Sequence, residues 1–106
     1  MNWDWRKVNW EEHVLPGWRP IVKHLVELCK IYDIPIDQVK EKFGGLRFYT
    51  GKPHYLVDAA ITQAEKACDN ICEICGEPGH IAGKRWLKCF CANHHKETEE
   101  RILKGK

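Results

Sequence analysis

The feature that most constrains this chain is a set of cysteines and histidines in its last third. The spacing C-x2-C-x15-C-x2-H is formed by Cys72, Cys75, Cys91 and either His94 or His95. Thiolate sulfur and imidazole nitrogen are the ligands that zinc takes in small tetrahedral sites, and this separation between the two pairs is typical of zinc fingers. The spacing therefore predicts one bound Zn²⁺ ion.

The local sequence predicts how the ligands are brought together. Gly76 follows the first pair and accepts the backbone angles of a tight knuckle. Residues 79–90 include Gly83 at a plausible turn, so they can form a short hairpin that returns the chain to the knuckle. A helix that begins near Cys91 places either histidine on the face of that cysteine. Knuckle, hairpin and helix together describe a treble-clef-like module, and four protein ligands make the metal structural.

The chain contains six cysteines, and the compartment decides how the other three are interpreted. No secretory signal is present, and no stretch approaches the roughly 20 apolar residues that span a bilayer. We therefore expect a cytoplasmic protein without membrane contact and with reduced thiols. Cys29 and Cys68 lie on apolar helix stripes and are predicted to be core residues. Cys89 could replace Cys91 as a ligand, although position 91 fits the helix better, and a thioredoxin-like redox pair lacks its βαβ setting.

The remaining sequence predicts an α+β fold: a helix, a β-hairpin, a second helix and then the zinc module. The length of 106 residues fits a single domain. We divide it into a tryptophan-rich arm (1–17), a helix-hairpin-helix core (18–70) and the zinc-binding module (71–106). Apolar spacing predicts the first helix from residue 18 to 33 and the second from 53 to about 70. The buried stripe expected on the first helix consists of Trp18, Val22, Leu25, Cys29 and Tyr32.

The dipeptide Gly44-Gly45 lies between two partly alternating runs and predicts the turn of the hairpin. A two-residue turn at these glycines pairs Glu41 with Phe48 on one face and Lys42 with Arg47 on the other. Two like charges side by side repel each other. We therefore expect the second face to meet water or an anionic partner.

Basic and aromatic residues suggest binding surfaces. On the zinc hairpin Trp86 is surrounded by Lys84, Arg85 and Lys88, and the central hairpin carries Lys40, Lys42 and Arg47. Such mixtures are compatible with phosphate contact and base stacking, although a solvated face is the simpler interpretation. The formal charge of +2 gives no global attraction to nucleic acid. Tryptophan is also enriched at protein interfaces. One or more exposed anchors are therefore expected among Trp3, Trp5, Trp10 and Trp86, although core packing takes up most tryptophans.

An HNH-type nuclease is a further hypothesis, because His80, Asn93 and His95 supply the residue types of that site on a ββα core. The expected helix offers no second metal-binding histidine beyond His95, which argues against it. We also find no phosphate-binding loop, nucleophile elbow or His-Glu-x-x-His pair in the sequence. The chain is therefore expected not to be an enzyme. His13, His24 and His54 are isolated and are expected to be surface or capping residues.

Three sequence features resemble a family of small uncharacterised proteins encoded by bacteriophages and prophages. They are Gly17-Trp18, the run from Val39 to Tyr49, and the Cys72-Glu73-Ile74-Cys75-Gly76 knuckle with its closing Cys-x-x-His. The resemblance covers about residues 16 to 95 and implies that the fourth ligand is His94. It also implies a use, because small accessory phage proteins often bind a host factor. We expect a non-enzymatic, zinc-stabilised protein that engages a host protein, with a nucleic-acid-binding module as the alternative.

Overall fold

The computed structural model describes residues 4–83 and 86–104, and the side chains of residues 4–83 and 86–100. Three short 3-10 helices come first, at Trp5–Lys7, Trp10–His13 and Pro16–Trp18. The longer elements are α1 (Arg19–Tyr32), β1 (Ile36–Lys42), β2 (Gly45–Thr50), α2 (Tyr55–Cys68), β3 (His80–Ala82), β4 (Lys88–Phe90) and α3 (Ala92–Lys104). The predicted α+β class and its order of elements are confirmed. Within the described residues, every helix is too short or too polar to cross a bilayer.

The N-terminal arm is part of the hydrophobic core. Trp5 and Trp10 are buried and join Val14 and Trp18 in one apolar cluster with α1 and the first hairpin. The indole N–H of Trp10 donates to the Trp5 carbonyl at 2.8 Å. Trp5 and Trp10 are therefore core residues and not exposed anchors, because the core takes up their apolar area. Trp3 lies outside the described residues, and Trp86 is exposed as predicted.

Helix α1 buries the predicted stripe except at its last position. Trp18, Val22, Leu25 and Cys29 are buried, whereas Tyr32 is 39% exposed. The helix ends at Tyr32 because Asp33 adopts a left-handed conformation with φ 55°. The Tyr32 ring lies against His54 at the edge of the core, with 4.5 Å between ring centroids.

The turn of the β1–β2 hairpin lies one residue earlier than predicted. Its central residues are Phe43 and Gly44, both at positive φ, so that Lys42 pairs with Gly45. Lys40, and not Lys42, is therefore opposite Arg47. This register aligns two buried side chains, Val39 and Phe48, whereas the predicted one would pair Phe48 with Glu41. The prediction of like charges across one face still holds, with Lys40 in place of Lys42.

Helix α2 begins two residues later than predicted, because His54 caps it. The His54 Nδ1 atom accepts from the Val57 N–H at 3.4 Å, and Asp58 accepts from the His54 N–H at 3.2 Å. The capping role expected for His54 is thus confirmed. The helix packs against α1 and β2 through Val57, Ile61 and Cys68.

Candidate metal centre

A short backbone loop holds the first two candidate ligands. Ile71 and Pro78 form an antiparallel bridge, and the Cys72 N–H donates to the Glu77 carbonyl at 2.7 Å. The loop closes where the Gly76 N–H donates to the Cys72 carbonyl at 2.9 Å. Gly76 has φ 80°, a conformation that favours glycine, as the sequence predicted. These bonds hold Cys72 and Cys75 in the same closed loop.

A small hairpin and a helix bring the other two ligands to the knuckle. Strands β3 and β4 pair antiparallel, with His80 opposite Phe90, so the chain returns to the knuckle just before Cys91. Helix α3 then begins at Ala92. One turn separates Cys91 from His94, and the Cys91 sulfur lies 3.2 Å from the His94 Nδ1 atom.

The four ligand atoms of Cys72, Cys75, Cys91 and His94 all lie within 4.8 Å of one another. The Cys75 and Cys91 sulfurs are 3.9 Å apart, and the Cys72 sulfur lies 3.3 Å from His94 Nδ1. A tetrahedral zinc ion spaces sulfur and nitrogen ligands about 3.5 to 3.8 Å apart. The predicted residues are therefore brought together at distances that could hold a metal ion. His95 is not among them, because its Nε2 atom lies 2.8 Å from the His80 carbonyl.

The environment of Cys72 favours its thiolate. Its side chain is buried, and burial alone raises the pKa of a thiol. The backbone N–H groups of Cys75, Cys91 and Ile74, together with the His94 ring, oppose burial and lower the pKa of Cys72 to about 6. Because metals bind the thiolate, this sulfur is prepared for coordination at neutral pH.

The three remaining cysteines are neutral core residues. Burial raises the pKa of Cys29 and Cys89 to about 11 and that of Cys68 to about 12. The Cys89 sulfur lies 3.2 to 3.3 Å from the carbonyl oxygens of Cys68, Asp69 and Ile71, where it can donate its proton at the end of α2. Cys89 is thus a packing residue, and the alternative in which it replaces Cys91 is wrong.

Gly17 and Trp18, which were noted in the sequence for their resemblance and for the apolar stripe of the first helix, join the knuckle to the core. The Gly17 N–H donates to the Glu73 carbonyl at 2.6 Å, and the Trp18 indole N–H donates to the Ile71 carbonyl at 2.8 Å. A Cβ at Gly17 would overlap the Cys72 carbonyl oxygen and lie 2.7 Å from that of Glu73. Only glycine permits this approach. Sequence reasoning missed it because nothing local relates position 17 to position 72.

Glu73, inside the knuckle, was also missed. It is only 1% exposed, and its Oε2 atom accepts from the Cys89 N–H at 3.0 Å. Its own N–H donates to the Cys89 carbonyl at 2.8 Å. Burial raises the pKa of this carboxyl group. Glu73 therefore fastens the knuckle to β4 with both main chain and side chain.

The tips of the two hairpins are in contact. Lys88 forms an ion pair with Glu41, whose other oxygen accepts from the Gly44 N–H at 2.9 Å. A Cβ at Gly44 would lie 2.9 Å from the Ile81 side chain and 3.3 Å from the backbone of Leu87. The β1–β2 turn thus rests on the zinc hairpin. This contact of Gly44 and Glu41 was not predicted from the sequence.

The six predicted contact residues have different surroundings. Trp86 and Lys42 are exposed, whereas Arg47 is partly buried and donates to the Leu46 carbonyl at 3.3 Å. Lys88 forms an ion pair with Glu41, and its role in binding a partner stays a prediction. Lys84 and Arg85 lie outside the described residues.

The three residues of the nuclease hypothesis are only partly assembled. His80 and His95 are in contact, with 4.6 Å between ring centroids, and the Phe90 ring lies 5.3 Å from that of His95. Asn93 is exposed on the first turn of α3, where no described residue accepts or donates to its side chain. The expectation that the chain is not an enzyme stays a prediction, with the nuclease as its alternative.

Comparison of the chain with protein-family models, with curated proteins and with solved structures gives no match. Its function must therefore be inferred from its own side chains.

Proposed function

We propose that Cys72, Cys75, Cys91 and His94 bind one structural Zn²⁺ ion. Three sulfurs and one imidazole nitrogen form a ligand set typical of zinc, and they would fill all four tetrahedral positions. A closed site has no position for an activated water. The metal would therefore supply folding energy to residues 71–104 and would not take part in a reaction.

Adjacent histidines provide a matched test of this site. The protein as purified should contain one zinc ion per chain by elemental analysis, and the Cys72→Ser variant should contain nearly none. His94→Ala should release zinc to a chelator at a lower concentration than the parent protein, whereas His95→Ala should behave as the parent does. Iron in place of zinc, or equal effects of the two histidine variants, would contradict the assignment.

We propose further that the protein binds another protein through an apolar surface at the hairpin tips. This tip surface consists of Phe43, Ile81, Trp86 and Leu87. Their exposed fractions are 65%, 38%, 71% and 42%. A Cβ at Gly44 would lie within 3.3 Å of Ile81 and Leu87, so these two residues adjoin the turn. Phe43 and Trp86 are the chain neighbours of Gly44 and Leu87. Clustered apolar side chains, with a tryptophan among them, are typical of protein interfaces.

The charges at the tips support a protein target over nucleic acid. Lys88 is neutralised by Glu41, which removes one of the described cations that a phosphate backbone would need. Lys42 remains exposed at the rim, with its ammonium group 5.5 Å from the Phe43 ring. An apolar centre with a charged rim is the usual anatomy of a protein interface. A host-cell protein is the partner class that the resemblance to phage-encoded proteins suggests.

A pull-down from bacterial lysate with matched variants tests the tip surface. Trp86→Ala should weaken capture of a stoichiometric protein about thirtyfold, the size of a two kcal/mol hot spot. Tyr55→Ser is the control, because Tyr55 is 79% exposed at the start of α2 and has no place in the tip surface. Loss of capture in both variants, or recovery of nucleic acid instead of protein, would overturn the proposal.

Zinc and the tip surface should be coupled. Ile81 and Leu87 belong to the hairpin that leads from the knuckle to Cys91, so the proposed metal would hold this half of the surface in place. A chelator should therefore abolish capture of the partner, and added Zn²⁺ should restore it. If capture of the partner were unchanged without metal, the tip surface would not depend on bound zinc.

A further inference from the structure

The two outer edges of the β1–β2 hairpin differ in whether their backbone groups have hydrogen-bond partners. At the β2 edge, the Phe48 N–H donates to Glu65 Oε2 of α2 at 3.0 Å. Because this N–H points away from β1, the facing residues Val39 and Phe48 form a non-hydrogen-bonded pair of the antiparallel ladder. The N–H and C=O groups of Val39 therefore also point outward, at the β1 edge. The same alternation turns those of Glu41 outward.

The β1 edge borders an open cleft. No described residue forms a hydrogen bond with the outward backbone groups of Val39. A cleft of about 500 Å³ lies beside it, between residues 37–40 of β1 and an N-terminal wall made by Val8, Trp10 and His13. Outward backbone groups next to a partly apolar cleft are the template that an added strand requires.

The face of β1 that points away from the core is basic. Lys40, Lys42 and Arg47 share this face, and Lys40 is directly opposite Arg47. Among the described residues, none of the three forms an ion pair. Like charges facing each other across a ladder are destabilising, so an added negative charge there would be favourable.

We propose that the β1 edge binds an extended peptide in which acidic and apolar residues alternate. The apolar residues pair with Val39 and Glu41 and turn toward the cleft, since facing residues in a sheet share a side. The acidic residues of the peptide alternate with the apolar ones and fall on the opposite face of the sheet, beside Lys40 and Lys42. This edge shares only Lys42 with the rim of the tip surface, and the variants at Lys40 and Trp86 test the two proposals separately.

A second copy of this chain fits the edge poorly. Two β1 strands paired antiparallel about Val39 would place Asp37 opposite Glu41 of the other copy. A shift by two residues would place Lys40 opposite its own equivalent. Both registers place like charges opposite each other, and proteins commonly use such repulsion to prevent edge-to-edge pairing. The acidic peptide replaces this repulsion with attraction.

A labelled pentapeptide of sequence Glu-Val-Glu-Val-Glu, acetylated and amidated, is the probe. We expect saturable binding to the metal-loaded full chain by fluorescence anisotropy, and slower hydrogen exchange of the Val39 amide at saturation. The same peptide with lysines in place of glutamates should bind about tenfold more weakly or not at all. Lys40→Glu should reverse this preference, whereas Lys23→Glu, on the exposed face of α1, should leave it unchanged.

N-methylation separates strand addition from charge attraction. The valine N–H groups would bond to β1, so methylating both valines should abolish binding. The central glutamate N–H would point away, so methylating it should be tolerated. Equal effects of the two methylations, an unchanged preference in Lys40→Glu, or no saturable binding up to about 1 mM peptide would each overturn the proposal.

Discussion

Trp18, Leu25 and Val57 in the helical part are each no more than 2% exposed, and they belong to a large apolar cluster. In residues 71–83 and 86–100, by contrast, the buried side chains are those of Cys72, Glu73, Cys89 and Phe90. The first region can be stable through burial alone, whereas the second has almost no apolar core. A region so poor in burial requires another source of stability, and the four clustered ligands can provide it.

Removal of the metal should have the largest effect, and it should affect the two regions differently. We expect a chelator, or Cys72→Ser, to abolish hydrogen-exchange protection in β3, β4 and α3, because structural zinc contributes on the order of 10 kcal/mol. Protection in α1 and α2 should persist. Unfolding of the whole chain in one step would instead mean that burial is insufficient in the first region as well.

Gly17→Ala should damage both regions at once. The new Cβ would overlap the Cys72 carbonyl oxygen, so the bond from Gly17 to Glu73 must break, and we expect a loss of about 4 kcal/mol in urea unfolding. Gly51→Ala is the matched control, because a Cβ there meets side chains at 3.1 Å or more. A small effect at position 17 would show that the knuckle can shift away from the core.

Leu25→Ala should act on the first region only. Leu25 is 2% exposed, and its truncation should lower the free energy of unfolding by about 3 kcal/mol. Zinc content and the chelator concentration that releases it should not change. Altered metal affinity in this variant would reveal that the core and the metal site are energetically coupled.

Glu41→Gln should have the smallest effect, and that effect should depend on pH. Burial raises the pKa of Glu41, but the Lys88 ion pair and the Gly44 N–H outweigh it, so the folded pKa lies below the ordinary 4.5. The carboxylate therefore stabilises the fold above pH 4.5, and this contribution is lost as the pH falls through the lower folded value. We expect the variant to be less stable by about 1 kcal/mol at pH 7. In urea titrations near pH 3 the two proteins should have the same free energy of unfolding. A difference in free energy that does not change with pH would exclude this ion pair as the cause.

Local patterns predicted the elements well, and they also predicted which cysteines and histidines come together. The apolar spacing of α1 located Val22, Leu25 and Cys29 in the core, because helical periodicity is a property of the segment itself. The C-x2-C and C-x2-H pairs were equally local, since a knuckle and one helical turn bring each pair together. The preference for His94 over His95 came from resemblance. In the structure His94 joins the three cysteines, whereas His95 lies against the His80 carbonyl.

Features that depend on distant contacts could not be predicted. Gly44-Gly45 allows more than one two-residue turn, and the choice depended on aligning Val39 with Phe48. Glu41 looked like an ordinary strand residue until Lys88 was placed beside it. Trp5 and Trp10 belong to a segment without clear periodicity, so their burial depended on a core assembled from later residues.

The bond between the Trp18 indole and the Ile71 carbonyl has a consequence for the order of folding. These residues are 53 positions apart, whereas the ligands Cys72 and His94 are only 22 apart. Closing the shorter loop costs less entropy, so the metal site can assemble as a local unit. During synthesis, however, residues 5–61 of the core leave the ribosome before His94 exists. We therefore expect most of the core to form first, and the knuckle to dock onto Gly17 and Trp18 as a later step.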